Sequence, residues 1–247
     1  AWYENDGAAD PSFTSRTIAT SADRPQAVFA ADMDNDGDVD VVSGSYNDNA
    51  VSWYENDGAA DPSFTAADIN TAAEGLYDIH VADMDNDGDL DILSASFTDA
   101  TIAWYENDGA ANPTWTAANI VTNATGASNV SAVDIDNDGD MDILSTSANN
   151  DKVIWYENDG AADPSWTAIT ISSAADYVEG LHYADLDNDG DMDVLSASYN
   201  DDKLAWYESN GAASSSQTAR GISAWTEVVA GSSFDNANDV IHADIDG

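Results

Sequence analysis

The chain has 247 residues, of which 48 are Asp or Glu and only five are Lys or Arg, and its formal net charge is −43. This charge excludes binding to nucleic acids or to anionic membranes, because both depend on clustered Lys and Arg side chains. A hydrophobic content of 43% is ordinary for a globular protein and excludes a disordered acidic tail.

The first predicted element is an aromatic strand, Trp2-Tyr3-Glu4, that runs into an Asn-Asp-Gly hairpin turn. The same element recurs at Trp53, Trp104 and Trp155, and with Ser-Asn-Gly at Trp206. Alternation along a strand places each Trp and its adjacent Tyr on opposite faces of a sheet. We interpret these aromatic residues as wedges between packed sheets, with a stacking platform for sugar rings as the alternative.

A second aromatic element follows each of the first four turns. It reads Pro-Ser-aromatic-Thr, with one Pro-Thr-Trp-Thr variant, and supplies Phe13, Phe64, Trp115 and Trp166. It is predicted to begin an outer strand and to pack in the core.

An acidic stretch comes next and is repeated almost unchanged. Its copies begin at Asp32, Asp83, Asp134 and Asp185, each 51 residues after the last, and an incomplete fifth copy begins at Asp244. Asp at every second position would repel one another in an extended strand, where alternate side chains share one face. A tight loop around a cation removes this repulsion.

Calcium suits such a loop, because Ca²⁺ accepts about six to eight oxygen ligands with loose geometry. In the second copy the first three alternating Asp would supply side-chain oxygens, Gly88 the sharp turn, Asp89 a backbone carbonyl and Asp91 a closing carboxylate. Mg²⁺ prefers fewer protein carboxylates, and Zn²⁺ prefers Cys or clustered His. With one Ca²⁺ in each complete loop and four in all, the predicted ligands are Asp32, Asp34, Asp36, Asp38, Asp40, Asp83, Asp85, Asp87, Asp89, Asp91, Asp134, Asp136, Asp138, Asp140, Asp142, Asp185, Asp187, Asp189, Asp191 and Asp193.

Two other interpretations of the loop are weaker. A solvated turn needs one Asn-Gly or Asp-Gly, whereas this loop repeats its alternating carboxylates four times. An EF-hand needs a Glu at position 12 and flanking helices, but position 12 is Ser in every complete copy. The branched apolar residues after the loop, such as Leu90 to Leu93, indicate a strand instead.

The pattern D-x-D-x-D-G-x-x-D running into an apolar strand resembles the FG-GAP or VCBS repeats of integrin-like calcium-binding β-propellers. The resemblance covers essentially the whole chain. It implies a propeller fold and calcium loops. It leaves the biological role open, because the family includes adhesion receptors, lectins and accessory domains of secreted enzymes.

The second repeat shows the expected unit most clearly. Strands are predicted at residues 75–82, 90–96, 101–106 and 115–121, and no segment has sustained helical periodicity. Four short antiparallel strands in about 50 residues match one propeller blade. The predicted fold class is therefore all-β, a β-propeller of four-stranded antiparallel blades in 51-residue repeats.

Residues 1–247 are predicted to form a single propeller domain of about five blades. Four repeat units cover about residues 25–74, 75–126, 127–179 and 180–237, and a partial blade combines residues 1–24 with 238–247. Because this blade has no counterpart of the second strand, we interpret the sequence as a window on a longer array or a portion of a larger ring, completed by further repeats or copies. A first strand is predicted at residues 239–243. Residues 209–238, with eight extra residues, are interpreted as a longer surface loop.

No catalytic constellation is recognised. His80 and His182 occupy equivalent positions and His242 a nearby one, but their spacing forms no metal triad, so we interpret them as strand residues. Neither a nucleophile elbow nor a phosphate loop is present. The Glu of the aromatic strand recurs in every repeat, which favours structure over a single active site. The chain is not expected to be an enzyme.

Three functional hypotheses follow. The first is a secreted calcium-binding propeller that acts in binding or adhesion, with a glycan or an extracellular protein as its partner. The second is a structural repeat of a large cell-surface or filament protein, and the third is an accessory domain of a polysaccharide-degrading enzyme. An extracellular or cell-surface location is expected, because such loops load readily where calcium is plentiful. The chain has no Cys, and no apolar run approaches the roughly 18 residues of a membrane span.

Overall fold

A computed structural model describes residues 1–209, 225–231 and 237 of the chain. These residues contain eighteen strands and one short 3₁₀ helix, Ala148–Asn150. The strands are β1 (Trp2–Asn5), β2 (Phe13–Arg16), β3 (Pro25–Ala31), β4 (Asp40–Ser45), β5 (Ala50–Asn56), β6 (Phe64–Asn70), β7 (Leu76–Ala82), β8 (Asp91–Ser96), β9 (Thr101–Asn107), β10 (Trp115–Val121), β11 (Ala127–Val133), β12 (Asp142–Ser147), β13 (Lys152–Asn158), β14 (Trp166–Ser172), β15 (Val178–Ala184), β16 (Asp193–Ser198), β17 (Lys203–Ser209) and β18 (Trp225–Gly231).

These strands form five antiparallel sheets. Four sheets have four strands each in chain order, namely β3–β6, β7–β10, β11–β14 and β15–β18, and β1 pairs with β2 in a two-stranded sheet. The predicted all-β class and the repeated four-stranded antiparallel unit are confirmed. In the second repeat the observed strands differ from the predicted ones by at most one residue at either end.

The first strands of successive four-stranded sheets lie side by side. β3 packs against β7, β7 against β11 and β11 against β15. A hydrophobic cluster fills each space between neighbouring sheets, so every inner sheet is covered on both faces. This arrangement gathers the first strands together and leaves the acidic loops in a row at one end of the sheets.

The repeated Trp-Tyr pairs form these cores. Trp53 of one sheet lies in the same cluster as Tyr105 of the next, and Trp104 is likewise clustered with Tyr156. All four side chains are buried. For these four residues the interpretation as wedges between sheets is confirmed and the sugar-platform alternative is wrong, because the rings are closed off from solvent. The outer-strand aromatics Trp115 and Trp166 pack partly against the same cores. In the two-stranded sheet, Tyr3 and Phe13 are 66% and 61% exposed, so the core prediction is wrong for them.

Several other predictions depend on the last part of the chain. The interpretation of residues 209–238 as a surface loop is wrong in part, because β18 lies within this segment and completes the fourth sheet. The predicted strand at 239–243, His242 and the incomplete loop from Asp244 lie outside the described residues. His80 and His182 lie on β7 and β15 as expected. Within the described ranges, no helix has the length and apolar character to cross a membrane.

Asp78 on β7 is a half-buried residue whose carboxylate joins two sheets. It accepts hydrogen bonds from the backbone N–H of Ile79, at 2.9 Å, and from that of Val130 on β11, at 3.1 Å. Burial nevertheless raises the pKa of Asp78 to about 6, from an ordinary value of 3.8. The carboxyl of Asp78 is therefore harder to ionise in the folded protein than in the unfolded chain.

We expect this carboxyl to make stability depend on pH. Since its folded pKa is raised, its contribution is fully present below about pH 4 and is lost as the pH rises through about 6. Asp78→Asn should remove that loss. As the pH rises from 5 to 7.5, the free energy of unfolding of the variant should therefore increase by roughly 1–3 kcal/mol relative to that of wild type. Urea unfolding at both pH values, at equal saturating calcium, measures the difference. The exposed Asp163→Asn serves as the control, and an equal gain there would contradict the assignment to Asp78.

Candidate metal centres

The four acidic loops join the first and second strands of the four-stranded sheets. Each loop turns sharply at two residues with left-handed backbone conformation, as in the second loop at Asn86, φ 61°, and Gly88, φ 98°. The same two positions have positive φ in the other three loops. The predicted glycine turn is confirmed, whereas the left-handed Asn was not anticipated, although Asn tolerates this region better than most residues.

The first Asp of each loop folds the loop over itself. In the second loop the Asp83 carboxylate accepts hydrogen bonds from the backbone N–H groups of Asp87, at 3.2 Å, and Gly88, at 3.0 Å. The equivalent carboxylates of the other loops accept the same pair of bonds. This turn brings carboxylates that alternate along the chain to one side of the loop.

Three Asp in each loop place one carboxylate oxygen each within 4.8 Å of one another, a spacing that can hold a metal ion. Every group contains the first and third residues of its loop. Its third member is the fifth residue in the first and fourth loops and the ninth residue in the second and third loops. The groups are Asp32, Asp34 and Asp36; Asp83, Asp85 and Asp91; Asp134, Asp136 and Asp142; and Asp185, Asp187 and Asp189.

The seventh residue of each loop, expected to contribute its backbone carbonyl, has its side chain outside these groups. The Asp89 side chain instead accepts a hydrogen bond from Asn35 Nδ2 of the preceding loop, at 2.6 Å. Asp140 accepts the equivalent bond from Asn86 at 2.7 Å, and Asn137 donates to the Gly190 carbonyl at 3.2 Å. Neighbouring loops are therefore linked to one another, which sequence analysis did not predict.

The ninth residue has a structural role besides any metal contact. Asp91 is 1% exposed, and its carboxylate accepts hydrogen bonds from Met84 N, at 3.0 Å, and Asn107 N, at 2.8 Å. Asp40, Asp142 and Asp193 accept the same two bonds in their own sheets. This carboxylate therefore fastens the acidic loop to the end of the third strand. Its position at the first residue of a buried strand is the sequence signal for this role.

Burial makes these carboxylates costly to ionise when no cation is near. It raises the pKa of Asp91 to about 7 and that of Asp142 to about 8. The pKa of Asp136 is also raised to about 7, first by burial and then by the negative charges of Asp138 and Asp134. Clustered acids of this kind favour either protonation or a bound cation.

Asp136 shows most directly whether the acidic groups suit a bound cation. Both of its carboxylate oxygens are closed off from solvent and lack a well-formed hydrogen bond among the described residues, with only the backbone N–H of Asp138 lowering the pKa of this group. Buried charged oxygens normally have partners, because leaving them unpaired is costly. Since one Asp136 oxygen lies within 4.8 Å of oxygens from Asp134 and Asp142, the donor set fits a hard divalent cation.

Asn107 and Asn158 each lie at the end of a third strand and connect that strand to two neighbouring acidic loops. The Nδ2 atom of Asn107 donates to Met33 O of the preceding loop, at 2.9 Å, and to Leu90 O of its own loop, at 3.1 Å. Asn158 makes the equivalent bonds to Met84 and Met141. Sequence analysis assigned this Asn only to a hairpin turn and missed its contact with a loop 74 residues earlier in the chain.

We expect the link between loops to contribute measurably to stability. Asn86→Gly removes the amide that binds Asp140 but tolerates the positive φ, so unfolding should become about 1 kcal/mol easier. Asn188→Gly is the matched control, because Asn188 has the same φ of 61° and, within the part of the chain that the structure describes, makes no hydrogen bond to another acidic loop. Chemical unfolding of both variants in calcium measures their free energies of unfolding relative to wild type. Equal losses in the two variants would show that the loop link contributes nothing.

Comparison with known proteins identifies the repeat. The model of the FG-GAP-like repeat matches the chain at residues 1–43, 32–94, 83–145 and 134–196. A search of curated proteins gives no match. Among solved structures, the crystal structure of the V. cholerae biofilm matrix protein Bap1 is similar with a TM-score of 0.47 and 21% sequence identity. That match covers 75% of this chain and 26% of the Bap1 chain, so this chain spans about a quarter of its length.

Proposed function

Because the chain belongs to the FG-GAP-like repeat family, we propose that it is a calcium-stabilised β-propeller module that acts in binding or adhesion outside the cell. Its partner is a glycan or an extracellular protein, and the module itself is not an enzyme. The acidic loops support a non-catalytic role, because the first Asp of each complete loop accepts the same hydrogen bond from the loop Gly N–H in all four repeats.

The observation that carries the calcium proposal is the pair of solvent-excluded oxygens of Asp136, grouped with carboxylate oxygens of Asp134 and Asp142. A bound Ca²⁺ supplies the positive charge and the oxygen coordination that this group lacks. Asp134 and Asp136 would hold the ion, with Asp142 at the buried side. The corresponding Asp of the other three loops would hold one ion each. The first Asp also keeps the loop folded through its two backbone hydrogen bonds, so binding and loop shape are coupled.

Calcium titration tests this directly. We expect about four equivalents of Ca²⁺ to bind the wild-type chain, since each complete loop offers one group of carboxylates. Asp136→Ala should lower the stoichiometry by one and leave the other loops loaded. The exposed Asp163→Ala should bind as wild type does. Isothermal titration calorimetry gives the stoichiometry, and full binding by Asp136→Ala would refute the assignment of that site.

The propeller arrangement is supported by the stacking of the sheets. Successive first strands pack side by side, and the hydrophobic clusters between sheets repeat with the same residue types. On the outer face of β3, Val28 is 71% exposed, whereas the equivalent Ile79 of β7 is buried against the preceding sheet. A further repeat, or another copy, that covers this face would continue the ring. Electron-microscopic class averages of the particle in calcium test for a closed ring of sheets.

Binding is tested with the immobilised chain. Arrays of glycans and of extracellular matrix proteins are probed in calcium and again in excess chelator. A binding or adhesion module should retain at least one class of partner in calcium and lose it when the loops are stripped. Absence of binding to both arrays in calcium would contradict the proposed role without affecting the metal titration.

A further inference from the structure

At the end of the sheets opposite the acidic loops, the repeats carry different residues at equivalent positions. Here the segment before each first strand meets the turn after each second strand. Backbone hydrogen bonds hold the two together, from Tyr46 N to Arg24 O at 2.9 Å and from Tyr199 N to Tyr177 O at 3.0 Å. We call this surface the aromatic end, and define it by Arg24, Tyr46, Tyr77, Phe97, Tyr177 and Glu179, with Tyr199 beside Tyr177.

The first part of the aromatic end spans two sheets. The Arg24 guanidinium lies 4.0 Å from the centroid of the Tyr46 ring. Tyr46 meets Tyr77 of the next sheet edge to face, with ring centroids 6.3 Å apart. Tyr77 in turn lies 5.5 Å from Phe97. Three rings and one guanidinium therefore form a continuous line across the boundary between these sheets.

The fourth sheet contributes the other part. Tyr177 and Tyr199 have ring centroids 6.1 Å apart. Burial raises the pKa of Tyr77, and the negative charge of Glu179 adds to this shift. The third sheet has only small residues at the equivalent positions, namely Gly126, Ser128 and Ala148.

These aromatic residues are not needed for the fold. The third repeat forms the same four-stranded sheet with Ser128 and Ala148 in place of Tyr77 and Phe97. The wedge aromatics of the cores are buried, whereas Tyr46, Tyr77 and Phe97 are half-buried and Tyr199 is 38% exposed. Partly exposed rings that only some repeats carry are better explained by ligand contact than by packing.

The chemistry of this surface favours a sugar. Tyr and Phe rings offer apolar faces on which the C–H face of a pyranose can stack, and the phenol groups add hydrogen-bonding capacity. Arg24 provides N–H donors and Glu179 a carboxylate acceptor for hydroxyl groups. Two of the five cationic residues, Arg16 and Lys203, pair with carboxylates, whereas Arg24 packs over a ring. A chain with a net charge of −43 repels polyanions, so the ligand is an uncharged saccharide.

We propose that the aromatic end is a binding site for neutral oligosaccharides, stacked on Tyr46 and Tyr77 and oriented by Arg24. The inference rests on the proposed binding function and assigns it a ligand class and a surface. The site lies at the opposite end of the sheets from the acidic loops. Calcium therefore supports it only through the folded state, and no sugar–metal contact is involved.

Affinity electrophoresis tests the assignment. The calcium-loaded chain is run through gels that contain neutral polysaccharides, namely galactomannan, xyloglucan or dextran, and through gels that contain anionic alginate. We expect retardation by at least one neutral polysaccharide and none by alginate. Tyr77→Ala and Arg24→Ala should each weaken that retardation about tenfold in the derived dissociation constant, since each removes a side chain that would contact the sugar.

Tyr3→Ala is the matched control, because Tyr3 is a tyrosine that is 66% exposed on β1 and lies outside the aromatic end. It should bind as wild type does. Circular dichroism and the calcium-dependent melting temperature verify that each variant is folded. No retardation of wild type by any neutral gel, retardation by alginate alone, or equal loss with Tyr3→Ala would each overturn the proposal. A normal calcium titration alongside such a result would show that the metal sites are intact. Failure of the sugar site is therefore distinguishable from failure of the calcium proposal.

Discussion

Removal of divalent cations should lower the melting temperature of this protein by roughly 20 °C or more. Each loaded loop stabilises the folded state by about 2.7 kcal/mol when free calcium is about 100-fold above the dissociation constant. Four such loops would contribute about 11 kcal/mol, which is comparable with the whole stability of an ordinary domain. For a chain of this size, about 1 kcal/mol shifts the melting temperature by roughly 2–4 °C.

The physical reason lies in the acidic groups themselves. Without a cation, burial and mutual repulsion leave carboxylates such as Asp136 and Asp142 with raised pKa values, so their ionised forms oppose folding at neutral pH. The ninth Asp also fastens each loop to the end of the third strand of its sheet. Loss of loop structure should therefore loosen all four sheets together.

Differential scanning calorimetry in calcium, in excess chelator and in chelator already saturated with calcium measures the effect. The saturated chelator controls for any direct action of the reagent. Restoring calcium should restore the transition, and magnesium at the same concentration should restore less of it, because Mg²⁺ prefers fewer carboxylates and keeps its waters. Identical melting curves in all three conditions would show that the loops are not structural metal sites.

Asn107→Asp should destabilise the protein by about 3–5 kcal/mol. The substitution keeps the shape of the side chain but removes its N–H donors, so Met33 O and Leu90 O both lose their hydrogen-bond partner. It also places a negative charge against two carbonyl oxygens at a position that is only 1% exposed. Unsatisfied buried polar groups and an unpaired buried charge are among the few single changes with effects of this size.

Asn112→Asp provides a matched control, because it makes the same chemical change on an exposed turn. The equivalent positions of the first and third complete repeats already carry Asp61 and Asp163. Its effect should stay within about 0.5 kcal/mol. Calcium titration calorimetry of Asn107→Asp beside its urea unfolding separates the lost hydrogen bonds from weaker metal binding, since only the latter changes the dissociation constant for calcium. Similar losses for the two variants would refute the inter-sheet role of Asn107.

Local patterns in the chain were sufficient for much of the architecture. Period-two alternation and turn residues predicted the strands of the second repeat to within a residue, and the 51-residue spacing predicted the repeated sheets. The Trp-Tyr pairs were correctly interpreted as core because adjacent strand residues must face opposite sides of a sheet. The alternating Asp identified the acidic loops, since their repulsion makes sense only in a turn that gathers oxygens around a cation.

Contacts between sheets could not be derived in this way. The Asn107 amide reaches a carbonyl 74 residues earlier, Asn35 reaches Asp89 54 residues later, and Tyr46 meets Tyr77 across a sheet boundary. No local periodicity encodes such pairs, because they depend on the distance and angle at which one sheet stacks on the next. The amino-acid sequence by itself determined the strands and the acidic loops, and it predicted the class of ion that suits those loops. Only the stacking of the sheets decided which loops contact one another, which Asp side chains hold a loop against a strand and which aromatic rings stay exposed. The reason is that packing geometry is set by the whole assembled core.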